Sequence, residues 1–275
     1  PAQSGRGGRF FDAILQGIEE ATEGSVHRYP LKEDVDLEEL RQEITDNCSD
    51  GIISLGKKAA LVSKKLAGAQ PVVVGALSIV PNGISGVSLS ADPTVVFTRL
   101  KELSPKIERI FVVYSEKHNG WLIKSARQIA SKLGIQLVAY RAANLREAMH
   151  HYRTLITISH VNNDAIWLPL DPVTVNDDVV LPLLLQAAWD KNLTLISNRP
   201  GHAKRGALFA FYPDNYGLGQ QLAKLLQRLK KAPHLPKVEP LRELQIATNL
   251  RTAAHLEVDF TPQQLKEVTL TFPSR

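Results

Sequence analysis

The chain has 275 residues, which at roughly 150 residues per domain suggests about two domains. Hydrophobic residues make up 44% and charged residues 22%, values of a packed globular protein that exclude wholesale disorder. The net charge of +5 is mild, and no basic stripe of the kind a nucleic-acid binder shows is visible, so nucleic acid is not expected as a partner. Cys48 is the single cysteine, which rules out an intrachain disulfide and a cysteine-based zinc site. No apolar run reaches the roughly 18 residues needed to span a bilayer. Pro1 to Arg9 are polar and glycine-rich and do not read as a signal peptide, so an exported form is expected to have lost its leader already.

In chain order, apolar residues at helical spacing (Phe11, Ile14, Leu15, Ile18) predict a helix over Phe10–Thr22. Ser25–Tyr29 reads as a strand, and Asp36 caps a helix to about Ile44. Gly51–Leu55 is a short apolar run before a helix near Lys57–Leu66. Pro71–Leu77 (PVVVGAL) is apolar on both faces, as a buried parallel strand requires. A turn at Pro81–Gly83 leads to Gly86–Leu89, and Asp92-Pro93 opens a helix. The cycle then repeats. Strands are expected at Arg109–Tyr114, Gln136–Ala139, Ala165–Leu168, Thr194–Ser197, Gly206–Phe211 and Leu244–Ala247. Helices are expected at Trp121–Leu133, Leu145–Leu155, Val180–Lys191, Asn215–Lys230 and Leu250–His255.

So many alternations imply α/β architecture with two doubly wound, mostly parallel sheets of similar size. A doubly wound domain normally opens on a strand, whereas this chain opens on a glycine-rich loop and a helix, so either a first strand is missing or the domain tolerates its absence. Ligands of such sheets bind outside the carboxyl ends of the strands. That rule selects the polar residues after each predicted strand: Ser78, then Ser115, His118 and Asn119, then Asp171 and Thr174, then Ser197 and Asn198, then Tyr212 and Asp214. His118 sits in SEKHNG, where a ligand contact and ordinary Asn119-Gly120 turn chemistry are both open readings. Asp171 could accept from a ligand ammonium and Thr174 donate to a carboxylate; alternatively Asp171 only caps local backbone amides. No phosphate loop, dinucleotide fingerprint or nucleophile elbow is present, so neither a cofactor nor catalysis is expected. His150 and His151 are adjacent and point to different helix faces, so one metal cannot take both from that helix. The three tryptophans (Trp121, Trp167, Trp189) read as packing residues.

Four segments in order carry a resemblance. GALFAFYPDNYGLGQQ (206–221), DAIWLPLD (164–171), Arg109–Tyr114 with Ser115–Asn119, and Asn249 with Thr252-Ala253 together resemble substrate-binding proteins of ABC transporters, in the branch of tryptophan- and tyrosine-type binders. The likeness runs from Phe10 to Phe260. It implies a periplasmic-binding-protein type I fold whose two lobes, joined by three crossovers, close on a small ligand such as an amino acid and hand it to a membrane permease. The expected lobes are 1–105 with 208–235 and 106–207 with 236–275, the chain crossing near Leu103–Glu108, Arg205–Leu208 and Pro233–Val238. The resemblance adds Gly56 and Lys57 to the first lobe's contacts; Lys57 departs from the small hydroxyl residue that relatives tend to have after this glycine. It implies a periplasmic or lipid-anchored location and no enzymatic step. A sensor of the same fold and, further off, an α/β enzyme are the alternative readings.

Overall fold

A computed structural model describes residues 6–66, 70–160, 163–232 and 237–273, with side chains from Phe10 onward. The chain forms two compact units and passes between them at 89/90, 212/213 and 243/244.

The first unit begins with helices α1 (Arg6–Ala21) and α2 (Leu37–Asp46), followed by β1 (Ile52–Leu55), α3 (Gly56–Leu66), β2 (Val72–Leu77) and β3 (Ser85–Ala91). After the second unit's main run it regains α9 (Asn215–Lys231) and β9 (Val238–Leu241). Its sheet has four strands in the order β1-β2-β3-β9, with β1, β2 and β3 parallel. Asp36 caps α2 as its position predicts, accepting from the Glu38 and Glu39 amides. Ser25–Tyr29, expected as a strand, forms none and joins neither sheet. Its Tyr29, with Leu31 and Val35, packs instead on Leu40, Ile44 and Leu66 of α2 and α3. α1 and α9 approach so closely that a Cβ on Gly17 would lie 2.0 Å from the Tyr216 carbonyl and one on Gly219 2.1 Å from that of Ile14. Gly17 and Gly219 are therefore a helix-packing device, while a Cβ on Gly217 would meet the Glu243 side chain.

The second unit runs α4 (Pro93–Leu103), β4 (Arg109–Tyr114), α5 (Glu116–Lys132), β5 (Gln136–Arg141), α6 (Leu145–Ile158) and β6 (Asp164–Leu168). It continues with α7 (Val180–Asp190), β7 (Thr194–Ser197), α8 (Pro200–Arg205) and β8 (Phe209–Pro213), and closes with β10 (Leu244–Asn249), α10 (Leu250–His255), α11 (Pro262–Glu267) and β11 (Val268–Phe272). Its sheet has seven strands in the order β11-β10-β8-β7-β6-β4-β5. The two sheets are thus unequal, four strands against seven, where the pattern suggested similar sizes. α4 joins this unit rather than the first: its Val96, Phe97 and Leu100 are buried with Ile110, Val112 and Trp167. The crossing points lie at 89/90, 212/213 and 243/244, and residues 233–236 of the third expected crossing lie outside the described residues.

Both faces of the larger sheet are covered, and the strands show why their sequences are apolar throughout. Ile110 and Val112 of β4 and Trp167 of β6 face one core, which Phe97 meets edge-on at 5.2 Å. Phe111, Val113, Ile166 and Leu168 face the other, with Tyr152, Leu155 and Leu184. Trp189 departs from the packing expectation: it is half exposed and stacked on His255, ring centroids 3.8 Å apart. Among the described residues no helix is long and apolar enough to cross a membrane.

Candidate functional site

In the second unit β4 pairs with β5 on one side and β6 on the other, all parallel. The chain therefore reverses its direction of travel across the sheet at β4. At such a switch point the loops leaving the two central strands diverge and open a crevice at the carboxyl edge. Here those loops are Ser115 onward, after β4, and Pro169–Val179, after β6.

Asp171 organises this edge. Its Oδ2 accepts from the Ser115 amide at 2.7 Å, the Ser115 Oγ at 3.0 Å and Asn119 Nδ2 at 2.9 Å. Its Oδ1 accepts from the amides of Val173 at 2.9 Å and Thr174 at 3.2 Å. The carboxylate is completely buried. Thr174 Oγ1 donates to the Val113 carbonyl at 3.0 Å, fastening the loop back onto β4. Asp171 therefore has no lone pair to offer a ligand ammonium, and Thr174 no hydroxyl hydrogen for a ligand carboxylate. Of the two readings of Asp171, the geometry matches the local cap, extended across two loops into a clamp. The buried Tyr152 phenol is pushed well up from its ordinary range, by burial first and the Asp171 charge second.

Asn119 and His118 are not in a turn. Ser115 is the N-cap position of α5, Glu116 suits its positive end, and the helix runs through Asn119-Gly120. The Asn119 amide nitrogen meets two acceptors, Asp171 Oδ2 and the Leu170 carbonyl at 3.2 Å. That fixes the orientation of the amide and leaves Oδ1 buried without a hydrogen-bond partner. His118, half-buried one residue earlier, accepts through its carbonyl from Trp121 Nε1.

Ser197 and Asn198 end the next strand. Asn198 bridges three strands: its Oδ1 accepts from Trp167 Nε1 at 3.1 Å, its Nδ2 donates to the Phe211 carbonyl at 3.3 Å, and its amide donates to the Leu168 carbonyl. Ser197 Oγ lies 2.7 Å from His202 Nδ1, and His202 Nε2 lies 3.2 Å from Asp177 Oδ1. The order serine–histidine–aspartate is that of a nucleophilic relay. However, Ser197 is fully buried and already accepts the Arg199 amide, so its oxygen is not presented to a reactant. Sequence reading missed His202 and Asp177. The available signal was a histidine just after a strand's carboxyl end, in PGHAKR, but its partner lies 25 residues away.

In the first unit, Gly56-Lys57 and Ser78 follow the neighbouring parallel strands β1 and β2 at the same sheet edge. Gly56 has φ of +84°, which admits the sharp entry into α3. Lys57 and Ser78 are exposed. Asp214 caps α9 through the Tyr216 amide, and Tyr212 packs on Ala203, Ala210 and Ala247. The structure thus gathers Ser115, Asn119, Asp171 and Thr174 into one network, sets Ser197 and Asn198 on the adjoining strand, and gives Asp214 a capping role. Among the described residues no group of three or more histidine, cysteine or acidic side chains is arranged to hold a metal.

Residues 16–270 match the family described as ABC transporter substrate binding protein. The chain belongs to that family. It is a family of substrate-binding proteins rather than an enzyme class, and it implies a small-molecule ligand, a transporter partner and an extracytoplasmic setting. The fold is accordingly that of type I periplasmic binding proteins. Solved structures of similar fold include an ABC domain in complex with L-Trp from Streptococcus pneumonia, at 17% identity and TM-score 0.55, covering 96% of each chain. Another is a ligand-free, open substrate-binding protein with adhesive properties from Clostridium difficile, at 15% identity and TM-score 0.59, covering 97% of this chain and 94% of the other. A conserved domain protein from Vibrio cholerae gives 19% identity and TM-score 0.54, covering 96% and 95%. No curated protein matches the chain in sequence.

Proposed function

We propose that the protein is an extracytoplasmic receptor, periplasmic or lipid-anchored, that binds a small amphipathic solute, an amino acid in the leading case, and delivers it to an ABC permease. The observation that carries this reading is the polar network at the switch point of a family member's larger sheet. Asp171 is fully engaged within it, and Asn119 Oδ1 is a buried acceptor still lacking a donor. A buried polar atom in that condition calls for a ligand or water partner.

In this reading Asp171 shapes the site without touching the solute. Asn119 Oδ1 accepts the ligand's ammonium. The ligand's carboxylate is met by first-turn amides of α5, a 17-residue helix. Gly56, Lys57 and Ser78 supply the first unit's contacts. The neighbour's L-Trp makes tryptophan the first solute to test.

The test is calorimetric titration with a panel of the twenty amino acids, beside mass spectrometry of small molecules released from the purified protein. Saturable one-site binding of an amino acid, weakened in Asn119→Ala, is the expected result. A folded protein that binds none of the panel and releases no small molecule would overturn the proposal.

A further inference from the structure

The net charge of the chain is not spread evenly. Residues 117–146 hold six basic side chains and no acidic one, so the rest of the chain, with 27 basic and 28 acidic residues, is close to neutral. No two of the six are adjacent, and it is the fold that assembles them. Lys117, Lys124, Arg127 and Lys132 lie on α5, Arg141 ends β5, and Arg146 stands in the first turn of α6. All six are exposed. Among the described residues none of the six enters an ion pair.

β5 is the outer strand of its sheet, and α5 packs on it: Leu137 and Ala139 meet Leu122, Ile123 and Ala126. Arg141 shares the face of Leu137 and Ala139 and is the register partner of Tyr114, so it emerges beside α5. Arg127 reaches the same place: the Tyr114 phenol, raised by burial first and Glu116 second, is pulled back by both arginines. One cationic surface thus covers α5 and the end of β5, about 25 Å long over the 17 residues of α5. The bordering acids are occupied. Glu116 folds along its own helix onto Gly120, and Glu102 of α4 pairs with Arg99 at 2.8 Å. Glu147 accepts from the Ala143 amide and Asn144 Nδ2, both at 2.8 Å.

Helix stability does not account for this surface. Lys117 and Arg146 stand in first turns, where the helix dipole disfavours a cation, and only Lys132 stands in a last turn, where it is favoured. A small anion needs converging donors, and a protein partner needs a central desolvated anchor. Here the cations are spread along the whole helix on exposed stems, a distribution that matches a plane of diffuse, laterally mobile negative charge. We propose that the α5–β5 surface docks on anionic phospholipid headgroups and holds the protein against the membrane. Docking there confines the receptor to the plane of its transporter partner.

Sedimentation with mixed phosphatidylglycerol–phosphatidylcholine vesicles tests this, with pure phosphatidylcholine vesicles as the uncharged surface. No solute enters the experiment, so its outcome is independent of the receptor reading. The protein should partition to the anionic vesicles alone, and raising salt from ~50 to ~500 mM should release it. Lys124→Gln, Arg127→Gln, Lys132→Gln and Arg141→Gln should each weaken partitioning about fivefold, equivalent to ~1 kcal/mol per cation. The quadruple variant should behave on anionic vesicles as on neutral ones. Lys64→Gln with Lys65→Gln, in the last turn of α3, should leave partitioning unchanged. Lysine acetylation read by mass spectrometry should find Lys117, Lys124 and Lys132 shielded by anionic vesicles, and Lys64 and Lys65 not. Equal binding to neutral vesicles, an equal loss in the first-unit pair, shielding of Lys64 and Lys65 instead, or no binding by the folded protein would overturn the proposal. Soluble poly-L-glutamate is the second probe. Binding to it that needs the four cations, with no binding to vesicles, would assign the surface to an acidic protein segment and overturn the membrane reading.

Discussion

β6 has a buried aspartate at its amino end, Asp164, and another just beyond its carboxyl end, Asp171, and the two are held by opposite means. Asp164 faces a cation. Arg109, its register partner on β4, donates from Nε at 2.8 Å and Nη2 at 2.6 Å, a bidentate fork. Asp164 in turn holds the guanidinium's acidity even lower than usual. Asp171 faces only neutral donors, from the start of α5 and from its own loop. The amino edge thus fastens strand to strand with charge, and the carboxyl edge shapes loops with oriented dipoles. A fork of charge fixes sheet register. A ring of neutral donors fixes a rim and leaves it no net cation to compete with a solute.

The largest expected effect comes from breaking the charged end. Asp164→Ala leaves the partly buried Arg109 unpaired and should lower stability by about 3 kcal/mol, the low end for such pairs because Arg109 keeps some solvent contact. Urea denaturation measures this. The folded fraction should still bind solute normally, and a lost affinity there would erase the division between the two ends.

Asp171→Asn is isosteric but turns one acceptor into a donor facing other donors. It should cost about 2 kcal/mol and, unlike the first change, abolish solute binding in protein that remains folded. Calorimetry on the folded variant reads the second part. Arg109→Lys keeps the charge and loses the fork, so a loss of about 1 kcal/mol with unchanged affinity is expected. Equal effects of the asparagine and lysine changes on binding would contradict the comparison.

The smallest effect is on pH dependence, and it belongs to the carboxyl edge. His202 is held below its unfolded value, so the unfolded chain takes up its proton first. Its share of stability is fully present above pH ~6.5 and is lost as pH falls from there toward the folded midpoint. Thermal denaturation between pH 5 and 7.5 should therefore show a shallower decline in His202→Gln than in the unaltered protein. Identical slopes would remove His202 from the account.

Much of this was legible in the sequence because of period and composition. After their charged first residues, Arg109 and Asp164, RIFVVY and DAIWL carry no further charge, and both prove to be buried on two faces. Ser115, Asn119, Asp171 and Thr174 were selected by the carboxyl-edge rule, and they do meet. What could not be read was how they meet. Asp171's choice between a ligand and local amides depends on the approach of Ser115, 56 residues away. Asn119-Gly120 reads locally as a turn, yet Ser115 and Glu116 start a helix that runs through it. α8 was missed because Pro200-Gly201 looks like a breaker, although proline suits a first helical position. The seventh strand of the larger sheet, β11, comes from a short polar-flanked stretch whose partner, β10, supplies the evidence.

The most direct test is hydrogen exchange of the whole protein with and without an equimolar mixture of the twenty amino acids. Solute held at the carboxyl edge should protect peptides spanning 113–120 and 169–176 while leaving the amino-edge peptide over 158–164 unchanged. Protection confined to the amino edge, or none anywhere in the second unit, would contradict the account.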